Sequence, residues 1–164
     1  MTDTGAKELA MLTQLVSLNL MGTKVSDVGL KQIAGLQELQ ALDLAYTKVT
    51  DQGLKELTGL KKIESLDLHG TSVTDSGLNE LLVLTDLRSL DLGRTQVTDK
   101  GLKELAGLKT LAKLSLMETV ITDAGLRELT GLRQLSLLQL QHTKVTESGV
   151  KKLKGALPGC SIVQ

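Results

Sequence analysis

The side chains that could serve as nucleophiles, bases or metal ligands are few and lie far apart. The chain has two histidines, His69 and His142, and a single cysteine, Cys160. The histidines fall three copies apart in a repeated sequence, so at about 5 Å per strand we expect roughly 15 Å between them, too far for a shared metal ion or a proton relay. We predict that both are exposed polar residues at strand ends, and that Cys160 is a packed cysteine rather than a nucleophile.

Sequence motifs that mark catalysis or cofactor binding are also missing. The chain contains no HExxH segment, no recognisable catalytic triad and no glycine-rich phosphate loop. Its glycines follow a periodic pattern and never form G-x-G-x-x-G. We therefore predict a protein that is not an enzyme and has no cofactor and no metal site.

A second set of polar residues recurs at a fixed spacing and indicates binding rather than catalysis. Asp43, Asp67 and Asp91 are 24 residues apart. On adjacent parallel strands they would lie about 5 Å apart, where like charges repel and an incoming cation would relieve them. Three interpretations stay open: a solvated polar face partly neutralised by Arg88 and Lys113, a surface for a basic protein segment, and a calcium site.

The positions just beyond this acidic set vary most between copies and carry larger side chains. Tyr46, His69, Arg94 and Met117 occupy them. Tyrosine, arginine and methionine are enriched in protein interfaces, although unconstrained drift would also explain such variation. The candidate partner-binding residues are Asp43, Asp67, Asp91, Tyr46, His69, Arg94, Lys113 and Met117, and the expected partner is a protein or peptide, with a basic one among the alternatives.

Charge and hydropathy exclude several classes of protein. The 164 residues include 19 Lys and Arg against 19 Asp and Glu, so no positive field is available for phosphates and a nucleic-acid partner is not expected. The N-terminus lacks the basic and apolar regions of a secretory signal. No apolar run approaches the roughly 18 residues that cross a bilayer. We predict a soluble, cytoplasmic protein with no membrane partner.

A 24-residue repeat occupies almost the whole chain and positions these polar residues. One copy shows the rows that recur: Leu39, Leu42, Leu44, Thr47, Val49 and Gly53. The unit reads L-x-x-L-x-L-x-x-T-x-V-T-D-x-G-L-x-x-L-x-x-L-x-x. A single unit cannot bury its leucines alone, so the copies must stack.

Two periods alternate within each unit and predict two kinds of element. Leu42-Asp43-Leu44 alternates between apolar and polar residues, which predicts a short strand parallel to its neighbours one repeat away. The following stretch is helical, with Thr50 or Asp51 as the N-cap. Glycines in the left-handed conformation should end these helices at positions 35, 59, 107, 131 and 155. Val83 replaces this glycine in the third repeat, so that helix runs on or ends by another route.

These residues resemble the leucine-rich repeat family, whose signature L-x-x-L-x-L-x-x-N/C-x-L is matched in every full unit with Thr in the Asn position. The continuation V-T-D-x-G-L is similar to repeats of many bacterial leucine-rich repeat proteins and to the cysteine-containing and GALA-type repeats. The resemblance implies an α/β fold: a right-handed solenoid, curved like a horseshoe, with a parallel concave β-sheet and short convex helices. It also implies an interaction surface on the concave side. We expect each Thr hydroxyl to bond locally to the loop backbone.

The repeat boundaries predict a single domain over residues 1–164. It comprises an N-terminal half repeat (1–14), six repeats of 24 residues (15–158) and a C-terminal cap (159–164). We predict a protein-interaction module, with a structural spacer and the substrate-recognition domain of a larger enzyme, such as a ubiquitin-ligase-type effector, as alternatives. The first strand is an unpaired edge, so the protein is expected to be a monomer or a weak dimer through that edge.

Overall fold

Short strands alternate with short helices along the whole computed structural model, which describes residues 1–164. The seven strands are β1 (Ser17–Asn19), β2 (Ala41–Asp43), β3 (Ser65–Asp67), β4 (Ser89–Asp91), β5 (Lys113–Ser115), β6 (Leu137–Gln139) and β7 (Ser161–Val163). The six α-helices are α1 (Asp3–Leu9), α2 (Asp27–Ile33), α3 (Asp51–Glu56), α4 (Asp99–Leu105), α5 (Asp123–Glu128) and α6 (Glu147–Ala156). The longest of them, α6, has ten residues, and none of the helices could span a membrane.

All seven strands form one open parallel sheet in sequence order. Each strand pairs with the next at a register of one repeat, so that Leu42, Leu66 and Leu90 lie side by side. The helices connect successive strands and each packs against the helix of the next repeat. The predicted α/β solenoid, with the sheet on its concave side and the helices on its convex side, is confirmed.

The core between sheet and helices is built from aliphatic side chains. One continuous cluster of 42 buried residues extends from Ala6 to Cys160. The leucines that lie inward on the strands and helices are buried because each meets its equivalents in the repeats before and after it. Cys160 belongs to this cluster, and burial raises the pKa of its thiol, which confirms a packed cysteine.

In the N-terminal half repeat and the first five repeats, the aspartate at the start of the helical segment ties that repeat to the next one, a role that the sequence analysis did not assign. The helix of the sixth repeat, α6, begins with Glu147 instead. The Oδ1 atom of Asp75 accepts the backbone N–H of Thr98 at 2.7 Å, and its Oδ2 atom accepts the Thr98 hydroxyl at 2.6 Å. We call the six residues with this double contact the inter-repeat carboxylates: Asp3, Asp27, Asp51, Asp75, Asp99 and Asp123.

These hydrogen bonds favour the charged form of the carboxylate. The backbone N–H of Ser26 is the main reason that the pKa of Asp3 lies below its ordinary value of 3.8, and the backbone N–H of Thr146 lowers the pKa of Asp123 in the same way. Because the pKa values of Asp3 and Asp123 are lower in the folded chain, the contacts of these two residues stabilise the fold fully above the pKa of the unfolded chain. Their contribution is lost as the pH falls through the lowered value.

The same contact explains why a glycine recurs in every repeat, two residues after the residue that begins the helical segment. A Cβ atom added at Gly77 would lie 2.6 Å from Asp51 Oδ1, closer than side-chain carbons come to any oxygen. The glycines at 29, 53, 101, 125 and 149 lie against the preceding inter-repeat carboxylate in the same way. The motif T-D-x-G therefore acts as one connecting unit between repeats. Its Thr donates to the Asp of the preceding repeat, its Asp accepts from the Thr of the following repeat, and its Gly leaves space for the carboxylate of the preceding repeat.

Five of the six threonines at the family's asparagine position donate to the backbone of their own loop, as predicted, whereas Thr23 Oγ1 accepts the N–H of Val25 at 3.4 Å instead. Thr71 Oγ1 donates to the carbonyl of Leu68 at 2.6 Å, and the equivalent bond recurs at Thr47, Thr95, Thr119 and Thr143. The predicted N-cap is also confirmed, since the Thr50 hydroxyl accepts the N–H of Gln52. Such hydroxyls bond to the loops after β2 to β6 and to the N-termini of the helical segments from α2 onward, whereas Thr2 makes no side-chain hydrogen bond at the start of α1.

The predicted ending of the helices is wrong. The glycines at 35, 59, 107, 131 and 155 do not have positive φ angles, and Gly155 lies inside α6. Two of the helices, α3 and α5, instead tighten into 3₁₀ turns at Leu57–Gly59 and Leu129–Gly131, where leucines at three-residue steps fit the period of that helix. In the third repeat the whole segment Asp75–Val83 is a 3₁₀ helix. It ends at Leu84 with the same backbone conformation as the 3₁₀ turns that end at Leu60 and Leu132.

Asp75→Ala should lower the free energy of unfolding by about 1.5 to 3 kcal/mol. The substitution removes a charged acceptor and leaves the Thr98 N–H and hydroxyl without their partner. The measurement is chemical denaturation followed by circular dichroism. Asp86→Ala is the matched control, because Asp86 is exposed in a loop, and it should change the stability by less than about 0.5 kcal/mol. Equal effects of the two variants would contradict the role of the inter-repeat carboxylates.

Candidate interaction site

Three of the predicted site residues form a row across neighbouring strands of the concave face. Asp43, Asp67 and Asp91 are the last residues of β2, β3 and β4 and lie directly opposite one another in the parallel register. We call these three the concave acidic row. All three are half-buried.

The concave acidic row also shapes the loops, a structural role that the sequence analysis did not assign to these aspartates. The Oδ1 atom of Asp67 accepts the backbone N–H of His69 at 2.8 Å. Asp43 accepts from Ala45 and Asp91 accepts from Gly93 in the same way. Asn19 makes this contact with Met21 in the first repeat, so an amide can replace the carboxylate in this turn.

The middle carboxylate of the row is held at an energetic cost. Burial raises the pKa of Asp67 above its ordinary 3.8, and the charges of Asp91 and Asp43 raise it further, while the N–H of His69 opposes both. Between the unfolded and the raised folded pKa, the folded chain binds more protons. The contribution of Asp67 to stability therefore falls as the pH rises through that window.

Beside the acidic row, the structure brings Tyr46, His69 and Asp91 together. The Tyr46 hydroxyl lies 3.0 Å from His69 Nε2, and the two rings meet edge to face with centroids 5.1 Å apart. His69 Nδ1 lies 3.6 Å from Asp91 Oδ1. The prediction that His69 is exposed is wrong: its side chain is only 18% exposed, because Tyr46 and the backbone of Gly93 cover the ring. His142 is exposed, as predicted.

One position in the loop after each strand has a left-handed backbone. The residues there are Gly22, Tyr46, Gly70, Arg94, Glu118 and His142, with φ between 54° and 67°. Such angles favour glycine, so the four other side chains are held there at a cost of about 1 to 2 kcal/mol each. This strained backbone directs Tyr46 over Gly70, where an added Cβ would lie 2.7 Å from the tyrosine ring.

The remaining predicted residues lie on the same face without joining this cluster. Arg94 is exposed and its Nε atom lies 3.8 Å from Glu118. Met117 is half-buried and its carbonyl accepts the N–H of Arg94. Lys113 is exposed at the start of β5. Arg88, which we expected to neutralise the acidic row, lies 3.8 Å from Glu64 instead.

Two side-chain atoms in the fifth and sixth repeats are buried without a hydrogen-bond partner, and the sequence analysis did not select either residue. They are Ser115 Oγ and Gln141 Oε1. Ser115 takes the place that aspartate holds in the three preceding repeats, and this break in the pattern was the available signal. A shallow depression on the concave face is lined by Ser115 together with Asp91, Lys113 and Gln139.

The chemistry available on this face is that of recognition by charge and hydrogen bonding. No group of three or more His, Cys, Asp or Glu side chains is placed to hold a metal ion. The concave acidic row presents negative charge in β2 to β4, Tyr46 and His69 present a fixed aromatic pair, and Lys113 presents positive charge in β5.

Sequence comparison places this architecture among known repeats. Two family models, both described as leucine-rich repeat, match residues 13–73 and residues 83–106, more than half of the chain together. No curated protein sequence matches the chain.

Solved structures of bacterial proteins are similar over almost the whole chain. Internalin C2 from Listeria monocytogenes has a TM-score of 0.79 and 27% identity over 99% of this chain and 65% of its own. Internalin InlF from the same organism has a TM-score of 0.69 and 20% identity, and the similarity covers 96% of this chain and 50% of InlF. A leucine-rich repeat protein from Leptospira interrogans has a TM-score of 0.56 and 22% identity, and the similarity covers 96% of this chain and 51% of that protein. The last two share the fold, and the chain spans between half and 65% of these proteins.

Gly22→Ala should destabilise the fold by about 1 to 2 kcal/mol, although its surroundings are open. The cost comes from the left-handed φ of 67° alone. Gly35→Ala is the matched control, because that glycine is equally open and has no positive φ, and it should leave stability unchanged or slightly higher. Thermal denaturation of both variants is the measurement. The reverse ranking would restore the original expectation that position 35 is left-handed.

Proposed function

Because the chain belongs to the leucine-rich repeat family, we propose that it is a non-enzymatic protein-interaction module whose partner binds the concave face. The partner is a protein or peptide with a basic segment, and the contact residues are those of the concave acidic row together with Tyr46, His69, Arg94, Lys113 and Met117.

The observation that carries this proposal is the row of three carboxylates that the register places on adjacent strands, and the direction of the Asp67 pKa agrees with it. The carboxylate of Asp67 is partly buried between two others of the same charge, and no ion pair of its own offsets the repulsion. A Lys or Arg side chain placed over the row would interact with all three carboxylates at once. Charge complementarity of this kind sets specificity and the rate of association.

The aromatic pair supports the same face as the contact surface. Tyr46 is 44% exposed although its hydroxyl and ring are fixed by His69 and Gly70. A rigid, exposed tyrosine loses little conformational entropy on binding, which is why such residues often act as interface anchors. With no Trp or Phe in the chain, this anchor is supported by few others, and we expect an affinity on the order of micromolar.

Two other functions remain alternatives. A structural spacer would use the same solenoid to separate other domains and would bind nothing on its concave face. A substrate-recognition domain would present that face on behalf of an enzyme. We place the module in the cytoplasm, and we propose neither a nucleic-acid nor a membrane partner for it.

We propose in addition that the free edge of β1 allows weak self-association. On the side that faces β1, the N–H of Ala41 and the carbonyls of Asp43 and Ala45 form hydrogen bonds with β1 and its flanking residues. The equivalent backbone groups of the first repeat are the N–H of Ser17 and the carbonyls of Asn19 and Met21, and these face the open edge of the sheet. Exposed apolar side chains at Met11, Leu12 and Val16 lie at the same end. Light scattering should show a dimer at high protein concentration that a Ser17→Pro variant abolishes. A monomer up to millimolar concentration would exclude this association.

The direct test of the concave site is the double variant Asp67→Asn/Asp91→Asn with a fluorescent lysine-rich peptide as probe. Asparagine keeps both loop contacts, as Asn19 shows, and removes only the charge. Removing two carboxylates should weaken binding about tenfold at low salt and reduce its salt dependence.

The matched control is Glu104→Gln/Glu128→Gln, which removes two charges from exposed positions on the convex face. Its affinity for the peptide should equal that of the wild type. If the control weakens binding and the concave variant does not, the site lies on the convex face.

A further inference from the structure

The concave face changes character between β4 and β5. At the end of β2, β3 and β4 stands an aspartate whose Oδ1 atom accepts a loop N–H. In β5 the same position holds Ser115, which is only 4% exposed. Its hydroxyl makes no hydrogen bond within the protein.

The loop beyond Ser115 lacks the contact that the aspartates supply. In the second to fourth repeats the N–H two residues after the strand end donates to the aspartate. The equivalent N–H here belongs to Met117, and neither Ser115 Oγ nor any backbone carbonyl accepts it. Buried polar groups without partners are uncommon in folded proteins and call for an explanation such as a missing ligand.

Three side chains around this hydroxyl can donate hydrogen bonds. Lys113 lies two residues before Ser115 on the same face of β5, and Gln139 lies opposite Ser115 in β6. Both line the same depression as Ser115, together with Ser89. An ammonium group excludes a cationic ligand, and an acceptor with two oxygens can engage an ammonium, a hydroxyl and an amide together.

One acidic group, Asp91, also lines the depression and opposes an anion there. Its Oδ1 atom already accepts the N–H of Gly93 and lies near His69, on the side of the acidic row. The Gly93 N–H and the nearby His69 ring therefore partly offset the charge of Asp91, which reduces its repulsion of an anion beside Lys113.

We propose that Lys113, Ser115 and Gln139 form a binding site for a carboxylate of the partner. This inference rests on the proposed function, because the same partner would place a basic side chain over the concave acidic row. Ser115 lies two strands beyond Asp67, about 10 Å at the usual strand spacing, and an extended peptide covers that distance in about three residues. The partner segment therefore carries a Lys or Arg and an Asp or Glu about three residues apart and runs across the strands from β3 to β5.

The test uses fluorescent, end-blocked peptides in which one Lys and one Glu are separated by two glycines. Peptides with the Glu replaced by Gln, with the Lys replaced by Gln, and with Lys and Glu adjacent are the comparisons. A fourth peptide lacks the Glu and ends in a free carboxylate at that position, which distinguishes a side-chain carboxylate from a chain terminus.

The protein variants are Ser115→Ala/Lys113→Met and, as a control of equal charge change, Lys103→Met on the convex face. For the wild type and the control, replacing the peptide's Glu by Gln should weaken binding about fivefold. For Ser115→Ala/Lys113→Met the two peptides should bind equally. The single variant Ser115→Ala should fold with unchanged or higher stability, because it removes an unpaired hydroxyl.

The outcomes separate the carboxylate site from the concave interaction itself. If the Lys of the peptide contributes to binding and the Glu does not, the carboxylate site is excluded and the proposed function stands. If neither contributes, the concave interaction is excluded as well. If replacing the peptide's Glu by Gln weakens binding to Ser115→Ala/Lys113→Met as much as it weakens binding to the wild type, the carboxylate of the peptide binds elsewhere. A loss of stability in Ser115→Ala would assign the hydroxyl a structural partner and overturn the inference.

Discussion

The contact between each inter-repeat carboxylate and the threonine or serine of the next repeat sets the geometry of the whole solenoid. Each carboxylate accepts one backbone N–H and one hydroxyl across the repeat boundary, so it fixes both the distance and the orientation of neighbouring helices. The glycine row exists because the carboxylate leaves no space for a side chain. With the helices held in this way, the strands meet in an exact register of one repeat.

That register produces the proposed interaction surface as a by-product of regular stacking. Side chains at one position of the repeat line up across the sheet, so three aspartates in successive copies become a row of like charges. Aspartate consequently has two opposite roles in the molecule. Between the helices, donated hydrogen bonds hold the carboxylate, and they lower the pKa of Asp3 and Asp123. On the concave face, burial and neighbouring charges raise the pKa of Asp67. The first kind stabilises the free protein, and the second kind is relieved by a cation.

The fold could be predicted from the sequence because its cause is periodic. The rows of leucine recur at one spacing, and the core, the parallel sheet and the local bonds of Thr47 and Thr71 follow from that spacing. The role of Asp51 could not be derived in the same way, because its partner Thr74 lies in the next repeat and an acidic residue at a helix start already has a local explanation.

The candidate site was predictable in position and less so in detail. The row of Asp43, Asp67 and Asp91 follows from register alone. The left-handed backbone beneath Tyr46 and Arg94 was hidden, because only two of the six repeats have glycine there. The unpaired hydroxyl of Ser115 depends on side-chain packing that no sequence pattern records.

Site-resolved titration of the aspartate carboxylates by NMR tests this division most directly. Asp3 and Asp123 should titrate below 3.8 and Asp67 above 3.8 in the free protein. If Asp67 titrates at or below 3.8 with the others, the concave carboxylates are neither desolvated nor in mutual repulsion. The physical reason for assigning the interaction site to that face would then be lost.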